Sequence, residues 1–491
     1  MLIEKLNESY SVIDAPKETL ERIAMFLRVE KPNAHFDRMI KLGFRDRYQY
    51  FTSLQNGKLL VYNGHRFLLK NFGIEEINEQ TGISDKEIED FINSVNLPFK
   101  PYDYQERLVK LALQNKKMLA RACTSSGKSL SISLILEYFR QHKKRGVLIV
   151  PNINLLTQFK SDIESYGLKE LSEQTLLLGN GHKSDFTTCL TITTWQSLMK
   201  YRSDLKDLAF DFMIVDEAHK ASGDILSDIL LKSMDTPIKL GFTGTLPEDP
   251  IAKMTLLGLF GKPETIITAS ELIERGLGTP VNINAVILDY PRCDKEAFHE
   301  IPKDAYLKQL AFIKEYSPRT NLICKIAKSE VSKEKNVLVL YQHTEHGETI
   351  FENLGLDRTK VYDFEYQKEN KVLFMNGNIS GKIREEQRQY MENNTGILMI
   401  ANYACMSTGV SIKNLHSLIL ASPLKSFITI SQSLGRLMRK HSSKTESNIF
   451  DIVDNFGFRK PSGIFFKQYK HRLESSYIPE EFKIRDILVN L

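Results

Sequence analysis

The chain has 491 residues, 42% of them hydrophobic, and a formal net charge of +5. Such a length exceeds one hydrophobic core and points to about three domains, and such apolar content excludes a disordered chain. No stretch of about 18 apolar residues occurs and the N-terminus has no basic segment followed by an apolar one, so neither a helical membrane span nor a secretion signal is expected.

The first 97 residues combine strand-like pieces at 48–52 and 58–62, a turn at Gln55-Asn56-Gly57 and an acidic helix over 84–95. This pattern predicts a small α+β module. Between Phe36 and Phe72 lie seven basic residues (Arg38, Lys41, Arg45, Arg47, Lys58, Arg66 and Lys70) against Asp37 and Asp46, an excess equal to that of the whole chain. Phe44, Tyr48, Tyr50, Phe51, Tyr62 and Phe67 are interleaved with them. Basic side chains beside flat rings suit phosphate contact and base packing, so nucleic acid is the expected partner, with Arg45 and Arg47 as contacts. A β-rich core under a solvated basic face is the alternative reading of the window.

After a proline-marked junction at 96–101, apolar strands at 117–120, 146–150, 190–193, 212–215 and 238–242 alternate with helices. That alternation predicts a parallel sheet covered on both faces, over residues 98–280. The first strand leads into Ala122-Cys123-Thr124-Ser125-Ser126-Gly127-Lys128-Ser129 and then an apolar helix. A loop of this kind wraps backbone N–H groups around phosphates at a helix N-terminus, with the lysine on the β/γ oxygens and the serine hydroxyl on Mg²⁺. Ala122 departs from the pattern, which has glycine there. The fourth strand ends in Asp216-Glu217-Ala218-His219. Asp216, with Ser129, is the expected Mg²⁺ ligand and Glu217 the group that polarises the attacking water. ATP and Mg²⁺ are therefore the expected cofactors.

A second alternating series follows, with strands at 337–340, 372–375, 397–401, 417–421 and 449–453. It predicts a second α/β domain over 281–458, and 459–491 is left as a C-terminal extension. The predicted helix 430–439 carries Gln432, Arg436 and Arg439, the arginines three apart on one face. Arginines so placed can stabilise charge on a transferred phosphoryl group. The loop Cys405-Met406-Ser407-Thr408-Gly409-Val410-Ser411 follows a strand, where such sheets bind ligands.

Taken in order, these motifs resemble those of superfamily 2 helicases and translocases, from about Pro101 to Asp454. The resemblance implies two tandem RecA-like domains with parallel sheets behind the small α+β domain. It implies adenine recognition by Tyr104 and Gln105, nucleotide binding by Thr124 to Ser129 and Gln432, and catalysis by Lys128, Asp216, Glu217, Arg436 and Arg439. It further implies coupling of hydrolysis to movement through His219, Thr243 and Thr245, and strand contact by Thr194, Gln196 and Thr408. Thr243-Gly244-Thr245 replaces the family's Ser-Ala-Thr, and 357–371 reads as an insertion. The phrases Thr194-Trp195-Gln196, Ser407 to His416 and Gly435 to His441 resemble the phage branch-migration helicases. That resemblance implies action on branched DNA in a host cytoplasm, beside a single-strand-binding protein; a monomer is the expected form. An RNA helicase, or an ATP-switched binding module without motor activity, is the alternative expectation.

The five cysteines fit the same compartment: the nearest pair, Cys293 and Cys324, stand 31 positions apart, so no Cys-x-x-Cys metal or redox pair exists.

Overall fold

The computed structural model describes residues 2–32, 34–74, 80–179, 181, 185–302, 304–407, 412–423, 435 and 437–491. The chain divides into two compact units, Met1–Ile267 and Thr268–Leu491.

The first unit begins with an antiparallel sheet of order β1-β2-β6-β5, from β1 (Leu2–Lys5), β2 (Tyr10–Asp14), β5 (Thr52–Gln55) and β6 (Lys58–Tyr62). Asn56 and Gly57, at φ 50° and 75°, close the β5–β6 hairpin at the turn expected from sequence. Both adopt the left-handed region that a two-residue hairpin favours. The helix Lys17–Phe26 buries Leu20 and Ile23 in one cluster with Ile13, Leu59 and Val61. A short ribbon of β3 (Arg28–Glu30) and β4 (Tyr48–Tyr50) brackets the basic segment.

The module is seated on the helix Pro250–Phe260 of the same unit. A Cβ on Gly64 would lie 2.2 Å from the Leu257 carbonyl oxygen, so only glycine fits. His65 beside it is fully buried, its Nε2 2.7 Å from the Met254 carbonyl oxygen. Burial pushes this imidazole down to about 4, against the opposing Met254 contact. Protonation would give Nδ1 a hydrogen with no acceptor among the described residues. Between pH 6.5 and about 4 the unfolded chain takes up a proton that the folded chain refuses. Stability present above pH 6.5 therefore falls through that window, by about 3 kcal/mol. Urea unfolding of the parent and of His65→Gln across pH 4 to 7 checks this; the variant should lose that component of the slope, and equal slopes would refute the assignment.

A seven-stranded parallel sheet follows, of order β13-β7-β12-β11-β8-β10-β9. Its strands are β7 (Lys117–Ala122), β8 (Gly146–Val150), β9 (Thr175–Leu178), β10 (Leu190–Thr194), β11 (Phe212–Asp216), β12 (Ile238–Thr243) and β13 (Pro263–Ile267). Every residue of β8 and β12 is buried, as a sheet covered on both faces requires.

The second unit holds a parallel sheet of order β16-β17-β15-β18-β19-β14-β20. Its members are β14 (Val281–Asp289), β15 (Val337–Tyr341), β16 (Val372–Met375), β17 (Leu398–Asn402), β18 (Ser417–Leu420), β19 (Ser447–Asn455) and β20 (Lys483–Asn490). The two parallel sheets are those of tandem RecA-like domains. Residues 459–491, read from sequence as an extension, complete this sheet: the helix Ile464–Arg472 packs on β19 and β20 pairs along β14. The segment 357–371 is an ordinary crossover: its helix Phe364–Glu369 buries Gln367, whose Oε1 accepts from the Phe374 N–H of β16 at 3.2 Å. Two charge pairs are sealed within. Arg319 donates to both carboxylate oxygens of Asp454 at 2.7 and 3.1 Å, and Tyr290 Oη donates to the same group at 2.8 Å. Arg472 grips Asp451 likewise at 2.9 and 2.8 Å.

Candidate active site

The candidate chemistry of the first unit gathers at the carboxyl ends of its strands, where open parallel sheets bind ligands. The loop after β7 turns through Ser125 at φ 68° and Gly127 at φ 77° before the helix Lys128–Gln141 begins. Left-handed residues in such a turn aim successive N–H groups into one concavity, at the positive end of the helix. Ala122, where a phosphate loop has glycine, is still the last strand residue, paired with Ile267 of β13. A strand position accepts a Cβ, which explains why the departure is tolerated. Gly127 is not replaceable in that way: a Cβ there would lie 2.3 Å from Gln105 Nε2.

Tyr104 and Gln105, in the helix Asp103–Gln114, brace this loop. Tyr104 Oη and Gln105 Nε2 each donate to the Ser126 carbonyl at 3.0 Å, and both side chains are buried. Gln105 Oε1 accepts from the Tyr102 N–H at 3.0 Å. The solvent-facing ring is Tyr102, stacked on Tyr104 at 5.6 Å and 15°. Sequence reasoning missed Tyr102; an aromatic at a helix N-cap three residues before the glutamine was the available signal.

Lys128 Nζ rests on the carbonyl oxygens of Ala122 and Cys123 at 3.0 and 3.3 Å. Its charge also acts on both Asp216 and Glu217. Burial, then the adjacent Glu217, raise the Asp216 carboxyl above the usual carboxylate range, with Lys128 opposing. Burial raises Glu217 too, but the His219 hydrogen bond and Lys128 outweigh it and hold that group ionised. Glu217 stands at φ 54° just past β11, a left-handed conformation that costs a non-glycine residue of order 1–3 kcal/mol and clusters at functional sites.

A hydroxyl relay joins this acid to the next strand. Thr243 Oγ1, at the end of β12, donates to the Thr245 carbonyl at 2.7 Å, so it accepts from His219 Nδ1 at 3.1 Å. The same Nδ1 lies 3.2 Å from Glu217 Oε2. Glu217, His219, Thr243 and Thr245 thus form one connected set. At the end of β10, Thr194 is buried and caps the helix Trp195–Leu198 through Ser197 N at 3.4 Å, whereas Gln196 is exposed.

In the second unit the Arg439 and Met438 carbonyls accept from Thr279 Oγ1 and N at 3.1 and 2.8 Å. Lys444 is buried beneath the same stretch, donating to the Leu437 and Leu415 carbonyls. Arg436, Gln432 and Thr408 lie outside the described residues. In the N-terminal module the basic aromatic window splits. Phe51 and Arg66 are buried, while Phe36 and Phe44 are 82% and 73% exposed. Arg47 pairs with Glu30 at 2.9 Å, and Arg45 is exposed 3.8 Å from Asp37.

An ammonium, two carboxylates and a helix N-terminus on one sheet edge fit a magnesium nucleoside triphosphate, with Lys128 and the loop N–H groups toward phosphate and Ser129 and Asp216 toward the metal. Comparison with known proteins agrees. Residues 98–248 match the family model "Type III restriction enzyme, res subunit". The chain is 28% identical over 480 residues to "ATP-dependent DNA helicase uvsW" of Enterobacteria phage T4, covering 94% of this chain and 92% of that protein. Its fold is shared with a fragment of a putative HsdR subunit of a type I restriction enzyme from Vibrio vulnificus YJ016, at 17% identity and TM-score 0.60 over 83% of this chain and 72% of that one. It is also shared with S. cerevisiae Dbp5 bound to RNA and ADP BeF3, at 11% identity and TM-score 0.52 over 83% and 94%. The chain resembles the superfamily 2 helicases and is similar along nearly its whole length to the T4 uvsW protein.

Proposed function

We propose that the chain is an ATP-driven DNA translocase that remodels branched DNA: forks, Holliday junctions, D-loops or R-loops. The observation carrying this reading is the joining of the acidic pair to the end of the neighbouring strand, Glu217 to His219 to Thr243. A change in charge beside Glu217 is thereby passed to β12 through a hydrogen bond rather than lost to solvent. The similarity to a protein named a DNA helicase, over 94% of the chain, supports DNA as the polymer.

Within that reading, magnesium-bound ATP supplies the phosphoryl group whose transfer to water releases the energy. Glu217 holds and polarises the water, a role suited to a group kept ionised by His219 and Lys128. Asp216 and Ser129 take the metal, Lys128 and residues 124–127 take phosphate, and Arg436 and Arg439 complement phosphoryl charge. Tyr104 and Gln105 keep the loop in shape through the Ser126 carbonyl. Gln196 is the exposed strand contact beside β10, positioned by the Thr194 cap, and Thr408 is its counterpart in the second unit. In the module, the exposed Arg45 is the freer phosphate contact and Arg47 the one held by Glu30. A single-strand-binding protein is the proposed companion, and the acting form a monomer.

ATPase rates with single-stranded DNA, duplex, a four-way junction and RNA, at one salt concentration, test this. The junction should stimulate most. Stimulation by RNA alone would move the assignment to an RNA motor, and none by any polymer would leave an ATP-driven switch.

A further inference from the structure

Three adjacent strands of the second unit, β19, β14 and β20, end together at Asn455, Asp289 and Asn490. Over that edge lies a cleft of about 740 Å³ whose lining includes Arg292, Lys295, Phe458 and Arg459. The loop after β19 is built to present residues 458–460. Asn455 Oδ1 accepts from Gly457 N and Ser462 N, both at 3.0 Å, and Asn455 Nδ2 donates to Asp289 at 2.9 Å. A Cβ on Gly457 would lie 1.9 Å from the Lys460 carbonyl oxygen, so the turn closes only around glycine. Phe456 points inward and stacks on Phe298 at 3.7 Å. Phe458, two residues on, points outward: it is 55% exposed and its ring leans on His299 at 5.3 Å and 27°.

Apolar burial does not explain an outward ring on so constrained a turn. Its neighbours are cationic. Arg459 and Lys460 are exposed and form no ion pair among the described residues. Arg292 is 85% exposed, and its pair with Glu296 at 2.9 Å is a surface one that competes weakly with a phosphate. Of the side chains lining the cleft, the acidic one, Asp289, is already matched by Lys295 at 2.7 Å. The edge is also the one at which β17 ends, at Asn402, before the helix Tyr403–Ser407. Carboxyl ends of parallel strands are where such sheets take ligands.

We propose that this edge is a further nucleic-acid contact, in which the Phe458 ring stacks on a base while Arg459, Lys460 and Arg292 hold the adjoining phosphates. Ring plus cations is the chemistry of sequence-independent single-strand binding. The proposal rests on the reading of the chain as a motor on nucleic acid. It places a grip on the strand in the second unit at residues that belong to none of the helicase motifs.

The test uses the full chain as parent, as Phe458→Ala and as the double variant Arg459→Glu/Lys460→Glu, with the unfolding midpoint as control on folding. Binding of a labelled oligo(dT) is followed by fluorescence anisotropy over a series of KCl concentrations. Both variants should bind about tenfold more weakly. The charge variant should also flatten the plot of log affinity against log salt by about 1–2, because fewer counterions are released, while Phe458→Ala should leave the slope alone. Parent-like affinity and slope in both variants would overturn the proposal. So would a raised KM for ATP with unaltered oligonucleotide binding, which would give the cleft to free nucleotide phosphate. Failure of the motor reading looks different: the parent itself would neither bind oligo(dT) nor hydrolyse ATP faster with any polymer.

Discussion

Lys128→Ala should reduce the turnover number for ATP by at least about 100-fold while leaving the unfolding midpoint where it was. Among the described residues the ammonium hydrogen-bonds two loop carbonyls, Ala122 and Cys123, and it stands half-buried at the start of its helix, so its removal opens no core. What is lost is a preorganised positive charge beside the site of phosphoryl transfer, and single electrostatic contacts of this kind contribute on the order of 10²–10³ in rate. The same charge lowers both Asp216 and Glu217, so the acid pair should also hold its protons more tightly in the variant. Lys128→Arg should not restore the rate, because a planar fork does not replace a compact point charge. Steady-state hydrolysis beside thermal unfolding checks the pair of expectations; parent-like turnover in Lys128→Ala would remove the loop from the chemistry.

The largest expected effect on stability lies in the other unit. Asp454→Asn should destabilise it by about 3–5 kcal/mol, because the charge of Arg319, fully buried with its partner, would remain with nothing to neutralise it. For a unit of this size that is a fall of roughly 10 °C in midpoint. Replacing both partners by apolar residues, Arg319→Met with Asp454→Leu, should recover much of the loss, since desolvating the pair consumes most of its mutual attraction. Differential scanning calorimetry of the single and double variants decides. Equal midpoints for parent and Asp454→Asn would show the pair to be energetically idle.

Local chemistry was the part of the site that the sequence could display. A phosphate loop needs its N–H groups in consecutive residues, and an acidic pair must follow its strand at once, so the strand–loop–helix order around Lys128 and the strand end at Asp216 were legible without any fold. Ala122 was ambiguous only because the place where β7 ends depends on pairing with Ile267, far along the chain. The basic aromatic window shows the same limit. Phe44 and Phe51 read alike, yet one is exposed and the other is core, because burial is decided by the helix Lys17–Phe26 and by β6 rather than by neighbours in sequence. The strands β14 and β20 went unread for a related reason: Val-Asn-Ile-Asn at the start of β14 alternates like a half-exposed strand, and β20 is a sheet edge with mostly exposed side chains. The hydroxyl relay from His219 to Thr243 joins two motifs 24 positions apart, a contact that only the pairing of neighbouring strands could make.

The position of β14 has a consequence for how the protein is made. Val281 pairs with Ser447 and Asn282 with Lys483, so this nine-residue strand has partners that follow it by 166 and 201 positions. At roughly 5–20 residues per second, the ribosome delivers the second partner about 10–40 s after the strand itself. Until β19 emerges both of its hydrogen-bonding edges are open, and until β20 emerges one still is, beside Ile283, Ala285, Ile287 and their neighbours, which are buried in the finished sheet. Unpaired apolar edges are templates for association between chains. Nascent chains released before β20 emerges should therefore be the aggregation-prone species.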